Sequence, residues 1–331
     1  VTDTILSSVT RRKGRRPPIK GGLRLQTETS VSTPRPLPSL PSPAMTAGQD
    51  LLIALISIPL LVVARFFALT IPYTNQGFFC DDDEIRYPDR PSTIGGDTMT
   101  MLYGLITIVL VPLSEYSLIR RLQHRLEHFE YRKFKIHPFV LKTLFFWAAY
   151  TCGYLATSVA TNIFKRTSSR LRPNFIAICQ PANLDALCPL GSNAFIEDFT
   201  CLGESRADEH FSFPSSHASS SLFFAVYTIL YLHHRLRLAS IVRAFIQYGI
   251  FVLSIFICLS RVRDFKHRYV DVMGGGMLGI TIAVGMIHLI LFNFRPHRYR
   301  VAVVDSNSEV AAIAKNSREP SPVFSDYGSI V

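Results

Sequence analysis

The feature that most constrains this chain is a recurrence of apolar runs long enough to cross a bilayer. Six can be read, at residues 51–73, 98–118, 139–163, 218–233, 240–259 and 271–293. About 20 apolar residues let a helix span the hydrocarbon core. Inside that core each backbone N–H and C=O must be satisfied within the segment, which favours helices. A run such as LLIALISIPLLVVARFFAL, Leu51 to Leu69, leaves no polar face for soluble packing. The fourth run is short and reaches spanning length only if Ser215 to Ser221 join its helix. The expected class is therefore all-α, a polytopic membrane protein with six transmembrane helices.

The charge lies between the runs. The 331 residues carry a net charge of +11. Basic residues fill 119–137, HHRLR at 233–237 and RPHRYR at 295–300, and Arg11, Arg12, Arg15 and Arg16 precede the first run. With six spans these segments share one side, which the positive-inside rule makes cytosolic, together with both termini. Loops 74–97, 164–216 and 260–270 then face the exterior or a lumen, with the plasma membrane favoured over an internal one. The first run is expected to act as a signal anchor. Residues 1–47, rich in Ser, Thr, Pro and Arg, and 296–331 read as disordered cytosolic tails around a six-span domain, 48–295. Cys80, Cys179, Cys188 and Cys201 fall on the outer side, where disulfides are permitted; Cys188 with Cys201 is one of several pairings open to them, and the sequence does not choose.

Three polar clusters stand at span ends on that outer face. KRTSSRLRPNF, Lys165 to Phe175, carries Lys165 and Arg172, one a point charge and one a planar fork, both suited to an anion with many oxygens. SFPSSHASS places Ser215, Ser216 and His217 where the fourth span begins, so that hydroxyls and free backbone N–H groups can meet an anion. SRVRDFKHRYVD, Ser260 to Asp271, carries Arg261, His267 and Asp271. If 267–271 is helical, Asp271 shares a face with His267 and can hold one ring nitrogen, making the other more basic. Arg263, Asp264, Lys266 and Arg268 read as solvated loop charge. The clusters hold no carboxylate set suited to Mg²⁺ and no Cys/His spacing for zinc, so no metal or cofactor is expected. They fit phosphoryl transfer in which cations hold phosphate, one histidine attacks and the other protonates the leaving oxygen.

Lys165–Arg172–Pro173, then Pro214–Ser215–Ser216–His217, then Ser260–Arg261–His267–Asp271, resemble the K-x6-R-P, P-S-G-H and S-R-x5-H-x3-D signature of the type 2 phosphatidic-acid phosphatases. RLRPNF, SRVRDFKHRYVDV and GFFCDDDEIRYP at 77–88 are similar to the membrane lipid phosphate phosphatases within that family. The resemblance covers about 50–295. It implies a helical core related to that of the vanadium haloperoxidases. It also implies hydrolysis of lipid phosphate monoesters such as phosphatidate, lysophosphatidate, ceramide 1-phosphate and sphingosine 1-phosphate. By motif position, His267 would be the nucleophile, Asp271 its orienting residue and His217 the acid. Lys165, Arg172, Arg261, Ser215 and Ser216 would hold phosphate.

The chain departs from the pattern at three places. Ser216 stands for the usual glycine, Asn174 for a common histidine and Ser169 for a common glycine. Serine at 216 costs something if that position needs φ > 0, and is tolerated in a first helical turn. A catalytically silent lipid-phosphate-binding or scaffold relative and a phosphotransferase are the alternatives. Expected partners are the bilayer and lipid phosphates, with no nucleic acid. Gly275 and Gly279 form a small-xxx-small pair that fits packing inside the bundle, or a homo-oligomer contact.

Overall fold

The computed structural model describes residues 43–122, 129–131, 134–203 and 207–291. The expected disordered tails lie outside them, apart from 43–47, which belong to the first helix.

In chain order, helix α1 is Pro43–Thr70, β1 is Phe78–Phe79 and α2 is Gly96–Leu122. β2 (Phe129–Tyr131) and β3 (Phe134–Ile136) form a short hairpin before α3, Pro138–Ser168. The loop that follows holds α4 (Phe175–Cys179), α5 (Leu184–Leu187) and β4 (Phe195–Ile196). Then come α6 (Ser216–Arg235), α7 (Ser240–Arg263) and α8 (Tyr269–Gly285), which runs into one π turn at Met286–Ile290. Proline opens α3 at a position whose N–H would be unpaired anyway. Ser169, at φ 45°, closes it in the left-handed region.

Five of the six expected runs fall on helices long and apolar enough to cross a membrane: α1, α2, α3, α7 and α8. The fourth falls on α6, which is not among them. Its position explains why. Helix α6 packs against α2, α3, α7 and α8, so protein surrounds it and polar side chains find partners. Ser219 bonds Thr161 at 2.9 Å, and Tyr103 donates to Ser221 at 2.7 Å. By contrast α1 exposes Leu60, Val63, Phe66 and Phe67 to the surroundings. Lipid rewards an apolar outer face, whereas the centre of a bundle requires only that hydroxyls be paired.

Two glycines set how closely α8 meets α6. A Cβ at Gly275 would strike the Ser215 carbonyl, and one at Gly279 the Ser219 carbonyl and the Phe223 amide. The small-xxx-small pair is therefore used inside the bundle. It brings the start of α8 against the start of α6, where the Ser215 N–H donates to the Asp271 carbonyl at 3.0 Å.

At the opposite end Arg235 is not loop charge. It is buried and makes a two-pronged pair with the fully buried Glu115, Nε to Oε1 at 2.8 Å and Nη2 to Oε2 at 2.5 Å. Tyr231 donates to the same carboxylate at 2.9 Å.

The loops before α2 and after α3 form their own small core of Phe78, Ile85, Leu171 and Phe175. β1 pairs antiparallel with β4 across it. Disulfides Cys80–Cys188 and Cys179–Cys201 tie it together, so the sequence alternative Cys188–Cys201 is not the pairing adopted.

Candidate active site

The three polar clusters converge at one end of the bundle because their helices do. Lys165 lies in the last turn of α3, Ser215 caps α6, Arg261 ends α7, and His267 sits in the link to α8. Lys165, Arg172, Ser215, Arg261, His267 and Asp271 are all buried, and Ser216 and His217 partly so. Lys165, Arg172, His217 and His267 are near enough to feel one another's charge, and Arg261 lies beside His217 and Arg172.

His267 is held by one strong contact. Its Nδ1 meets the Ser212 carbonyl at 2.7 Å, so Nδ1 carries the hydrogen and the Nε2 lone pair is left for chemistry. Burial, with Arg172, Lys165 and His217 nearby, holds this imidazole well below the usual histidine range. A neutral ring is the nucleophilic form. His217 places Nε2 at 3.2 Å from the Ile94 carbonyl, so its proton on that side is held by the backbone just before α2.

The cations differ in how they are held. The Lys165 carbonyl accepts from Ser169 N–H and Ser168 Oγ, while no hydrogen bond or ion pair to its ammonium is found among the described residues. Arg172 places Nη2 at 2.5 Å from Asp208 Oδ2, while its buried Nε has no partner there. Arg261 points Nη2 at Asp264 Oδ2, 2.8 Å, and Nη1 at Ser92 Oγ, 3.2 Å. Ser215 Oγ accepts the Ala218 N–H at 3.5 Å. Ser216 is the first residue of α6 and is not among the positive-φ residues, so serine is tolerated there without backbone strain. The left-handed positions within the three clusters are Ser169 and Phe265.

One expected contact is absent. Asp271 does not hold a ring nitrogen of His267. Helix α8 begins at Tyr269, and Arg268 before it is extended, so 267 and 271 are not one helical turn apart. Asp271 is instead the third residue of α8 and caps its own helix, accepting the Arg268 N–H at 2.9 Å. The same Oδ2 accepts the Ser212 hydroxyl at 2.6 Å, and Oδ1 accepts Arg170 at 3.1 Å. Its link to His267 runs through Ser212, whose side chain it holds and whose carbonyl holds the ring.

The surrounding charges also depart from a solvated loop. Asp264 is buried and accepts from Arg261 and from the N–H and hydroxyl of Thr93, at 2.6 and 2.7 Å. Lys266 pairs with Asp89 at 2.5 Å, and Arg268 with Glu84 at 2.6 Å. Arg263 alone of the four is exposed. Ser212, Asp264 and the 92–94 segment escaped the sequence reading. Ser212 carried a signal, since it stands directly before Phe213–Pro214 in the second cluster. The 92–94 segment carried none, because its contact with His217 spans more than a hundred residues of chain. Among the described residues no three His, Cys, Asp or Glu side chains gather as a metal-holding group.

The PAP2 superfamily matches residues 144–295, which contain all three clusters but not the 92–94 segment. Phospholipid phosphatase 1 of Mus musculus is 32% identical over 233 residues, 68% of this chain and 79% of that one. Phospholipid phosphatase 2 of Bos taurus is 31% identical over 236 residues, 69% and 78% of the two chains. Phospholipid phosphatase 2 of Mus musculus is 30% identical over 256 residues, 75% and 87%. No solved structure matches the chain.

Proposed function

The chain belongs to the PAP2 superfamily, and from that membership and the site geometry we propose that it hydrolyses lipid phosphate monoesters through a phosphohistidine, without a metal ion. Phosphatidate, lysophosphatidate, ceramide 1-phosphate and sphingosine 1-phosphate are the substrate class. The observation that carries the reading is the Nδ1 contact of His267 with the Ser212 carbonyl. It leaves Nε2 as a neutral nucleophile among buried cations.

Nε2 of His267 attacks phosphorus, and the bond from phosphorus to the lipid oxygen breaks. His217 gives its proton to that oxygen, and the lipid alcohol leaves. Water then attacks the phosphohistidine, His217 takes a proton from it, and the P–N bond breaks to release phosphate. Lys165, Arg172, Arg261 and the first N–H groups of α6 hold the phosphoryl oxygens as charge shifts onto them. Asp271 and Ser212 steady the nucleophile.

The reading places the site at the outer or luminal face, with the plasma membrane favoured and both termini cytosolic. The two disulfides lie on the same loops as the site, and such bonds persist in oxidising compartments. The test is phosphate release from a panel of lipid phosphates in detergent micelles with excess chelator, with His267→Ala beside the unaltered chain. Chelator-resistant activity lost in His267→Ala is expected. Activity that survives the substitution, or that requires Mg²⁺, overturns the mechanism.

A further inference from the structure

The segment between β1 and α2 lies outside the matched family region, yet it docks against the site at several points. Tyr87 stacks on Phe265 with ring centres 4.8 Å apart, and the Arg90 guanidinium lies over the same ring, 4.5 Å from its centre. Asp89 pairs with Lys266 and accepts from Asn174 at 2.8 Å. Its last residues go deeper. Ser92 Oγ accepts from Arg261, Thr93 gives both its N–H and its hydroxyl to Asp264, and the next residue, Ile94, offers its carbonyl to His217.

We propose that Asp264 and the segment Ser92–Ile94 form a positioning clamp, which fixes the imidazole of His217 and the guanidinium of Arg261 in a single register. The inference rests on the phosphatase reading, in which His217 is the acid and Arg261 a phosphate ligand. Asp264 is the hinge of the arrangement. Its Oδ2 receives Arg261 and the Thr93 N–H together, and its Oδ1 receives the Thr93 hydroxyl. Arg261 spends four of its five N–H groups on Ser260, Ser92 and Asp264, leaving one on Nη1 for a phosphate oxygen. A guanidinium so held presents that hydrogen in one direction. One residue beyond the Thr93 anchor, the Ile94 carbonyl takes the Nε2–H of His217, so Nδ1 is the nitrogen left to exchange a proton. Burial, with the cations Arg261 on α7, Lys165 on α3 and Arg172 on the loop after α3, pushes this ring down to about 4, and the Ile94 carbonyl is the contact that acts the other way; the neutral His267 before α8 also faces it. A freely swinging 92–94 segment would loosen the acid and the phosphate ligand at once.

The test compares Thr93→Val, Thr93→Ser and Asp264→Asn with the unaltered chain in detergent micelles. It measures kcat/KM for a dialkyl lipid phosphate across pH, thermal unfolding, and the pH dependence of His217 acylation by diethyl pyrocarbonate, read by mass spectrometry. Thr93→Val and Asp264→Asn should lose tenfold or more in kcat/KM per folded molecule. Their basic limb and the His217 acylation midpoint should move together to lower pH, because the protonated ring loses its aligned carbonyl. Thr93→Ser, which restores the hydroxyl, should stay within about threefold of the unaltered chain. Should Asp264→Asn fail to fold, Thr93→Val decides, since it exchanges one hydroxyl for a methyl. An unmoved pH profile and acylation midpoint, or losses that follow only the folded fraction, overturn the clamp. Inactivity of the unaltered chain would overturn the phosphatase reading instead, and the acylation midpoint still decides whether 92–94 governs His217.

Discussion

Replacing Asp271 by Asn separates two ways in which a carboxylate can serve a nucleophilic histidine. In a Ser-His-Asp triad the carboxylate touches the imidazole, and its change to the amide costs about 10⁴ in kcat because the tautomer is wrong. Here the tautomer of His267 is set by a backbone carbonyl, at 2.7 Å, which the substitution leaves in place. Asp271 reaches the ring only through the 2.6 Å bond from the Ser212 hydroxyl. If the amide oxygen takes the place of Oδ2, Ser212 keeps a neutral acceptor and the loss is a few-fold. Losing the bond entirely sets the upper limit, about 1.5–3 kcal/mol for a hydrogen bond to a charged group. At about 1.4 kcal/mol per tenfold, that is roughly 10- to 150-fold. The assay is kcat/KM for a lipid phosphate in micelles, per folded molecule, for Asp271→Asn, Ser212→Ala and the double variant. Both single changes should fall in this window, and the double should be no worse than the more damaging single, because they cut one chain of contacts. A loss near 10⁴ in folded Asp271→Asn, with Ser212→Ala close to the unaltered chain, would refute the indirect link.

Other expectations follow from the same geometry. Activity should fall with acid only below the ordinary histidine value of about 6.5, since protonated His267 cannot attack and burial beside cations keeps it neutral; a pH profile with its acid limb at or above that value contradicts the assignment. Gly279→Ala should destabilise by about 1–3 kcal/mol and lower activity, because the added carbon meets backbone of α6 that cannot swing aside; thermal unfolding in micelles checks it. Glu115→Ala should cost about 3–5 kcal/mol by leaving Arg235 buried without its partner, and Glu115→Leu with Arg235→Met should recover much of that. Proteolysis without reductant, followed by mass spectrometry, should yield peptides joined through Cys80–Cys188 and Cys179–Cys201, and none through Cys188–Cys201.

The helical class, five of the spans and the three clusters were legible because they are local. An apolar run records its own solvent, and a motif keeps its spacing in the chain. The fourth span was the weakest of the six runs for a reason visible only in the packed bundle. Helix α6 is enclosed by other helices, so it can carry Ser219, Ser221, Tyr227 and Tyr231, whose hydroxyls its neighbours satisfy. HHRLR read as loop charge because its partner, Glu115, lies on another helix.

The site divides in the same way. Sequence by itself determined which residue types stand at one shared end of α3, α6, α7 and α8, since span length and charge placement put them there. Tertiary structure decided which of them touch. The close approach of α8 to α6 at Gly275 and Gly279 sets Asp271 against Ser212 rather than His267. The docking of the 92–94 segment on Asp264 turns an apparently solvated carboxylate into a buried anchor. Spacing along a chain specifies a contact only while the backbone between the two residues stays regular. The extended residue at 268 breaks that condition for His267 and Asp271, and contacts across more than a hundred residues never met it.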